Sequence, residues 1–155
     1  MNKKSGITPE QFQQLLIACA DLPFVRNPRE ETDYMEDIFI TVLDFHMQGP
    51  VVGNALWHFS ESIQRQHGLH THAQLHAVLD RFPDTKEGNK EASRFLWNNA
   101  HWTRVEILRR LLTFLASVGA TDQTSLHTWA QQASFERDFK GKVKGLGIAV
   151  FHWLQ

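Results

Sequence analysis

The residues whose types and spacing suggest chemistry lie near the carboxyl end, in Phe139-Lys140-Gly141-Lys142-Val143-Lys144-Gly145-Leu146-Gly147-Ile148-Ala149-Val150. Two glycines bracket one apolar residue there, and an apolar helical pattern starts directly after the second. Glycine permits a tight turn and lets the backbone approach another surface with no Cβ in the way. The apolar residue between the glycines tucks inward and pins the flanking helices together. The first turn of the new helix leaves N–H groups with no partner inside the helix, and such groups bind anions such as phosphate. Lys140, Lys142 and Lys144 precede the turn and add counter-charge. Contacts of this kind fix position along a nucleic-acid backbone and read no base. The same pattern also describes a plain corner between two helices with a solvated lysine face. What favours the phosphate reading is composition, since Lys140 to Gln155 holds three lysines and no acid.

Other constellations are weaker. His67, His70, His72 and His76 cluster, and His72 and His76 stand one helical turn apart, a spacing that chelates zinc or nickel. Exposed histidines around a helix start are the plainer expectation. Glu36, Asp37 and Asp44 would make a general acid–base set, but they are expected as solvated acids on a helix whose other face is apolar. The five tryptophans are expected mainly in the core. Trp97 and Trp102 flank the polar run Asn98-Asn99-Ala100-His101, so one of them is the best candidate for an exposed aromatic. Cys19 reads as a helix-packing residue.

Helical periodicity positions these groups nearly throughout. Thr8-Pro9-Glu10-Gln11 reads as N-cap, N1 proline and capping-box glutamine, opening a helix through about Ala20. Tyr34, Ile38, Val42 and Phe45 recur at three- and four-residue steps, until Gly49-Pro50 breaks the helix. Val51, Val52, Ala55, Leu56, Phe59 and Ile63 form the next apolar stripe. Thr71 to Gln74 is a second capping box, followed by Leu75, Val78, Leu79 and Phe82 up to Pro83. Asp84-Thr85 caps a helix through about Trp97. Thr103 is expected to cap the clearest helix, in which Val105, Leu108, Leu111, Leu112 and Leu115 line one face and Gly119 sits at C′. Thr124 or Ser125 begins another, and Phe135 to Gln155 holds two short helices hinged at Gly145-Leu146-Gly147. The expected fold is all-α, about eight helices in one domain over 1–155.

Composition excludes several classes. With 155 residues, 42% hydrophobic and 21% charged, the chain describes an ordinary soluble domain rather than a disordered one. One cysteine makes no internal disulfide, so a reducing compartment fits, cytoplasmic (nucleoid-associated) or nuclear. No signal-peptide pattern is present, and the longest nearly apolar run, Leu111 to Ala120, is about half of a membrane span. A net charge of −1 argues against nonspecific coating of nucleic acid. Its distribution is uneven: residues 1–96 carry nine Lys+Arg against thirteen Asp+Glu, and residues 97–155 carry seven against four.

Val143-Lys144-Gly145-Leu146-Gly147 resembles the hairpin of the helix-hairpin-helix DNA glycosylase superfamily, the endonuclease III-like and adenine-glycosylase-like base-excision repair enzymes. Phe39 to Gln48 followed by Val51 to Leu56 is similar to the family's early buried helix, polar loop and next helix. Trp102 to Leu108 matches its basic-apolar helix two elements before the hairpin. The resemblance covers roughly residues 34–155 and implies a glycosylase-like helical bundle with its helix-hairpin-helix motif at 134–155, binding double-stranded DNA. It assigns DNA-phosphate contacts to Lys142, Lys144, Gly145, Leu146, Gly147 and Val150. It also implies a monovalent cation, Na+ or K+, on the main-chain carbonyls of Gly141, Val143 and Leu146, with no other cofactor required. His46, with Gln48 as the nearby alternative, matches the side chain that fills the gap left by a flipped base.

Three departures accompany these matches. The lysine of lyase-type members is replaced by Ala149, so a Schiff-base nucleophile is missing there. Phe151 stands where the family has a small residue. The catalytic aspartate is expected beyond the second hairpin helix, and no Asp or Glu follows Asp138 through Gln155, so no catalytic residue is assigned. The alternative expectation is a non-catalytic helical interaction module, truncated or completed by a partner. Its apolar carboxyl-terminal helix would dock on another protein or a second copy.

Overall fold

The structure is a computed structural model describing residues 8–20 (backbone only from 15), 33–43 and 47–155. Every regular element among the described residues is helical, so the chain is all-α. It divides into two compact units, Met1–Thr32 and Asp33–Gln155. The first unit contains α1 (Pro9–Ala20). Its start follows from local spacing: Gln11 N–H donates to Thr8 Oγ1 at 3.2 Å, and Thr8 N–H donates to Gln11 Oε1 at 3.0 Å. Two helix-start donors are thereby satisfied reciprocally.

The second unit runs α2 (Tyr34–Leu43), α3 (Gly49–His58), α4 (Arg65–His67), α5 (His72–Asp80), α6 (Lys86–Trp97), α7 (Trp102–Ser117), α8 (Gln123–Gln132) and α9 (Ile148–Leu154). Two π-helical stretches interrupt this order, Phe59–Gln64 between α3 and α4, and Phe135–Phe139 between α8 and α9. α3, the first π stretch and α4 form one continuous rod, with right-handed backbone at His58, Phe59, Gln64 and Arg65. The rod stops at Gly68, whose φ of 62° is left-handed.

The core is built around α2 and α7. In α7 Val105, Ile107, Leu108, Leu111, Leu112 and Leu115 are buried, a stripe at three- and four-residue steps that faces inward. Gly119 N–H donates to Ala116 O and Ala120 N–H to Leu115 O, so a left-handed glycine closes this helix as expected. In α2 Phe39 meets Phe59 and Trp97 edge-on, at 4.6 and 5.4 Å between ring centres. Tyr34 Oη lies 2.8 Å from His72 Nδ1 and 3.0 Å from the Ala120 carbonyl. The phenol has one proton for the carbonyl, so His72 Nδ1 carries the hydrogen between the two rings.

Two helix starts differ from the sequence expectation. α7 begins at Trp102 rather than after Thr103, because Asn99 Oδ1 accepts the His101 N–H at 3.2 Å and opens the helix two residues earlier. α8 is capped by Asp122, which exchanges bonds with Ser125, so Thr124 and Ser125 lie inside the helix rather than before it. The Thr71 box forms as expected. No helix among the described residues is long and apolar enough to cross a membrane.

Candidate nucleic-acid interface

The second π stretch, the turn 140–147 and α9 together form the hairpin. Its base is aromatic. Phe139 and Phe151 are buried, 5.5 Å apart between ring centres, with Phe114 5.8 Å from Phe139 and Trp129 6.2 Å from Phe151. Phe151 therefore packs among Trp129 of α8, Phe135 and Phe139, at a place where the resemblance anticipates a small residue. Val143 and Leu146 are also buried and pin the turn from inside.

The two glycines of the turn have different reasons to be glycine. Gly145 has φ +99°, and a Cβ there would lie 2.9 Å from Ile107 Cδ1 on α7. The left-handed backbone demands glycine, and an added Cβ would also oblige the Ile107 side chain to shift. Gly147 has ordinary extended backbone, φ −123° and ψ −164°, and a Cβ there would meet nothing within 4 Å. Among the described residues nothing requires a glycine at 147.

The turn's donors divide in the same way. Leu146 N–H donates to Val143 O at 3.1 Å, so Leu146 is a pin rather than a phosphate donor. The first internal bond of α9 is Phe151 N–H to Gly147 O, at 3.2 Å. The N–H groups of Gly145, Gly147, Ile148, Ala149 and Val150 have no acceptor among the described residues. Gly145, Gly147, Ile148 and Ala149 lie on the exposed side.

Of the three lysines, Lys140 is held 2.7 Å from Glu136 Oε2, which offsets its charge. Asp138 is held below the usual carboxylate range first by the Arg137 side chain and then by the Ser134 N–H, with a smaller contribution from Lys142. Lys144 makes no ion pair among the described residues. Lys142 lines a cleft with Arg109, Arg110 and Thr113 of α7. Arg109 is engaged by Asn89 Oδ1 at 2.9 Å and Phe82 O at 2.8 Å, whereas Arg110 has, among the described residues, only Glu106 at 3.7 Å. Ile107, as the support of Gly145, was not legible as a functional position, since its spacing marks it only as core.

Gln48 is exposed at the N-cap of α3, and its side chain makes no capping bond. His46 and Asp44 lie outside the described residues, as does the Cys19 side chain. Gly141, Val143 and Leu146, whose carbonyls the resemblance assigns to a monovalent cation, belong to one turn, and the Val143 carbonyl accepts the Leu146 N–H at 3.1 Å. Glu36 is exposed as expected, but Asp37 is not a solvated acid. It is buried, with Gln123 Nε2 3.2 Å and His127 Nε2 3.9 Å from its Oδ2, because α8 covers that part of α2. Trp97 is buried and Trp102 half-buried, so the exposed tryptophans are Trp57 and Trp153. His72 is turned to Tyr34, and His76 Nδ1 stands 3.1 Å from Asp80. No protein-family model, curated protein or solved structure matches the chain.

Proposed function

We propose that this chain binds duplex DNA by its phosphate backbone at the 140–147 turn, as a helix-hairpin-helix protein of the base-excision repair type. Gly147 carries the reading. It is exposed, and among the described residues the N–H groups that follow it are unengaged and no contact explains its missing side chain. A surface that must come within hydrogen-bond distance of the backbone explains it. Lys142 and Lys144 supply nearby positive charge, and a Na+ or K+ on the three carbonyls would add to it. Gln48, with His46, is the proposed filler of the gap left by an extruded base. Ala149 offers no amine, so the hairpin helix brings no Schiff-base chemistry.

The test is fluorescence anisotropy of a labelled duplex with the full chain between 50 and 200 mM salt. Binding that weakens with a log–log slope of about −0.9 per phosphate contacted is expected. No duplex binding at 50 mM salt overturns the proposal. The rival reading, a protein-interaction helix, draws on Ile148 and Trp153, which are 52% and 44% exposed on α9. It requires self-association or partner binding that persists at high salt without DNA affinity, and sedimentation of the chain at both salt concentrations separates the two.

A further inference from the structure

The cleft beside α7 holds more positive charge than its own carboxylates offset. Arg109, Arg110 and Lys142 line it, and Asp84 is the one acid among its described lining residues. α7 supplies the floor, where Arg109, Thr113 and Ser117 follow at four-residue steps with Arg110 beside them. One wall is the connection before α6, to which Arg109 is tied through Phe82 O and Asn89 Oδ1. The hairpin turn adds another by bringing in Lys142. The space they enclose is about 420 Å³, against about 30 Å³ for one water in the liquid. It has room for a tetrahedral oxyanion and part of its hydration shell.

The three cations are held to different degrees. The Arg109 side chain is 16% exposed and spends two of its five N–H groups on Asn89 and Phe82. Asp84 Oδ1 lies 3.7 Å from Arg109 Nε and accepts from Asn89 Nδ2 at 2.9 Å. Arg109 is thus a fixed guanidinium with donors left over. The Arg110 side chain is 46% exposed, and its Nη2 stands 3.7 Å from Glu106, beyond hydrogen-bond length. Lys142 is exposed, and the carboxylate it influences, Asp138, is already bonded by Arg137 at 2.7 Å. The hydroxyls of Thr113 and Ser117 donate to the carbonyls of Arg109 and Phe114. The cations, rather than the hydroxyls, are therefore left to serve a ligand. Like charges around one space repel, and arginine forks match the oxygens of a phosphate.

We infer that this cleft is a phosphate site, in which Arg110 and Lys142 grip a phosphate group and Arg109 supports it from the floor. α7 links it to the hairpin, since Arg110 is one helical turn beyond Ile107, the residue beneath Gly145. Three residues of helix advance about 4.5 Å, close to the roughly 3.4 Å that separate successive phosphates along a duplex axis. The group is either a further phosphate of a strand held at the turn or a free phosphate ion. The first source rests on the duplex-binding proposal; the second stands without it.

Two arms test the site on the full chain. Arg110→Gln and Lys142→Gln are the site variants, and Arg65→Gln, on an exposed arginine paired with Glu61, is the control. In the first arm inorganic phosphate replaces chloride at constant ionic strength, and backbone amide shifts are followed by NMR. Saturable shifts are expected at 109–117 and 142 in wild type, in Arg65→Gln and in Gly147→Val. The site variants should need about tenfold more phosphate. In the second arm duplex anisotropy is measured from 50 to 200 mM salt. Arg110→Gln is expected to bind about tenfold more weakly at 100 mM, with the log–log slope reduced by about 0.9. A duplex effect assigns a strand phosphate. A phosphate effect alone assigns a free ion, and if wild type binds no duplex it is the duplex proposal that falls. Site variants that match Arg65→Gln in both arms overturn the site.

Discussion

Gly147→Val separates a fold requirement from a binding requirement. At this position the backbone is extended, and a new Cβ meets no atom within 4 Å. Valine accepts such backbone readily, and the reduced freedom of the unfolded chain offsets part of the poorer helix start. The net change in stability is expected within about 1 kcal/mol. A phosphate oxygen bonded to the neighbouring N–H groups, in contrast, would meet the valine methyls. Loss of two charge-assisted bonds at roughly 1.5–3 kcal/mol each weakens duplex affinity by at least about 100-fold. The assay is duplex anisotropy at 100 mM salt, beside a thermal melt of the same sample. Unchanged affinity, within twofold, in a protein that melts like wild type would refute the phosphate role of the turn. Gly145→Val is the contrasting variant: with φ +99° and Ile107 at 2.9 Å, it should lose about 1–3 kcal/mol of stability as well as binding.

Lys142→Ala and Lys144→Ala should each reduce the log–log salt slope of duplex binding by about 0.9, while Lys140→Ala, already offset by Glu136, should change it little; titration at three salt concentrations measures this. Phe151→Ala removes a ring packed against Phe139 and Trp129 and should cost about 3–5 kcal/mol in chemical denaturation. Burial, with a smaller contribution from His76, lowers the pKa of His72, so the unfolded chain takes up its proton first as pH falls below about 6.5. Its contribution to stability is complete above that pH and shrinks below it, by up to about 1.4 kcal/mol per pH unit. Denaturation from pH 7.5 to 5 should show a shallower fall for His72→Gln than for wild type; equal slopes would remove His72 as the cause.

Local signals read well from the sequence because their partners are three or four residues away. The Thr8 and Thr71 capping boxes and the Gly119 stop all depend on neighbours inside one turn of helix. The burial of Asp37 does not, since its cover comes from Gln123, 86 residues on. Trp97 and Trp102 flank the same polar run, but only Trp97 meets Phe39, and no spacing reveals that. The hairpin shows the limit most clearly. Gly145 and Gly147 are the same residue type two positions apart, and the difference between a packing glycine and an open one lies in Ile107, far away in sequence. Asp122 displaced Thr124 and Ser125 as the start of α8 because all three of these closely spaced side chains can serve as caps, and the carboxylate already has Ser125 as a reciprocal partner.

The wide turn at Phe59–Gln64 has a bearing on ancestry. A π turn within an otherwise regular helix is what results when that helix takes in one extra residue. A relative without the insertion would carry an unbroken rod from Gly49 to His67, and its positions before and after this turn would correspond to those here with an offset of one.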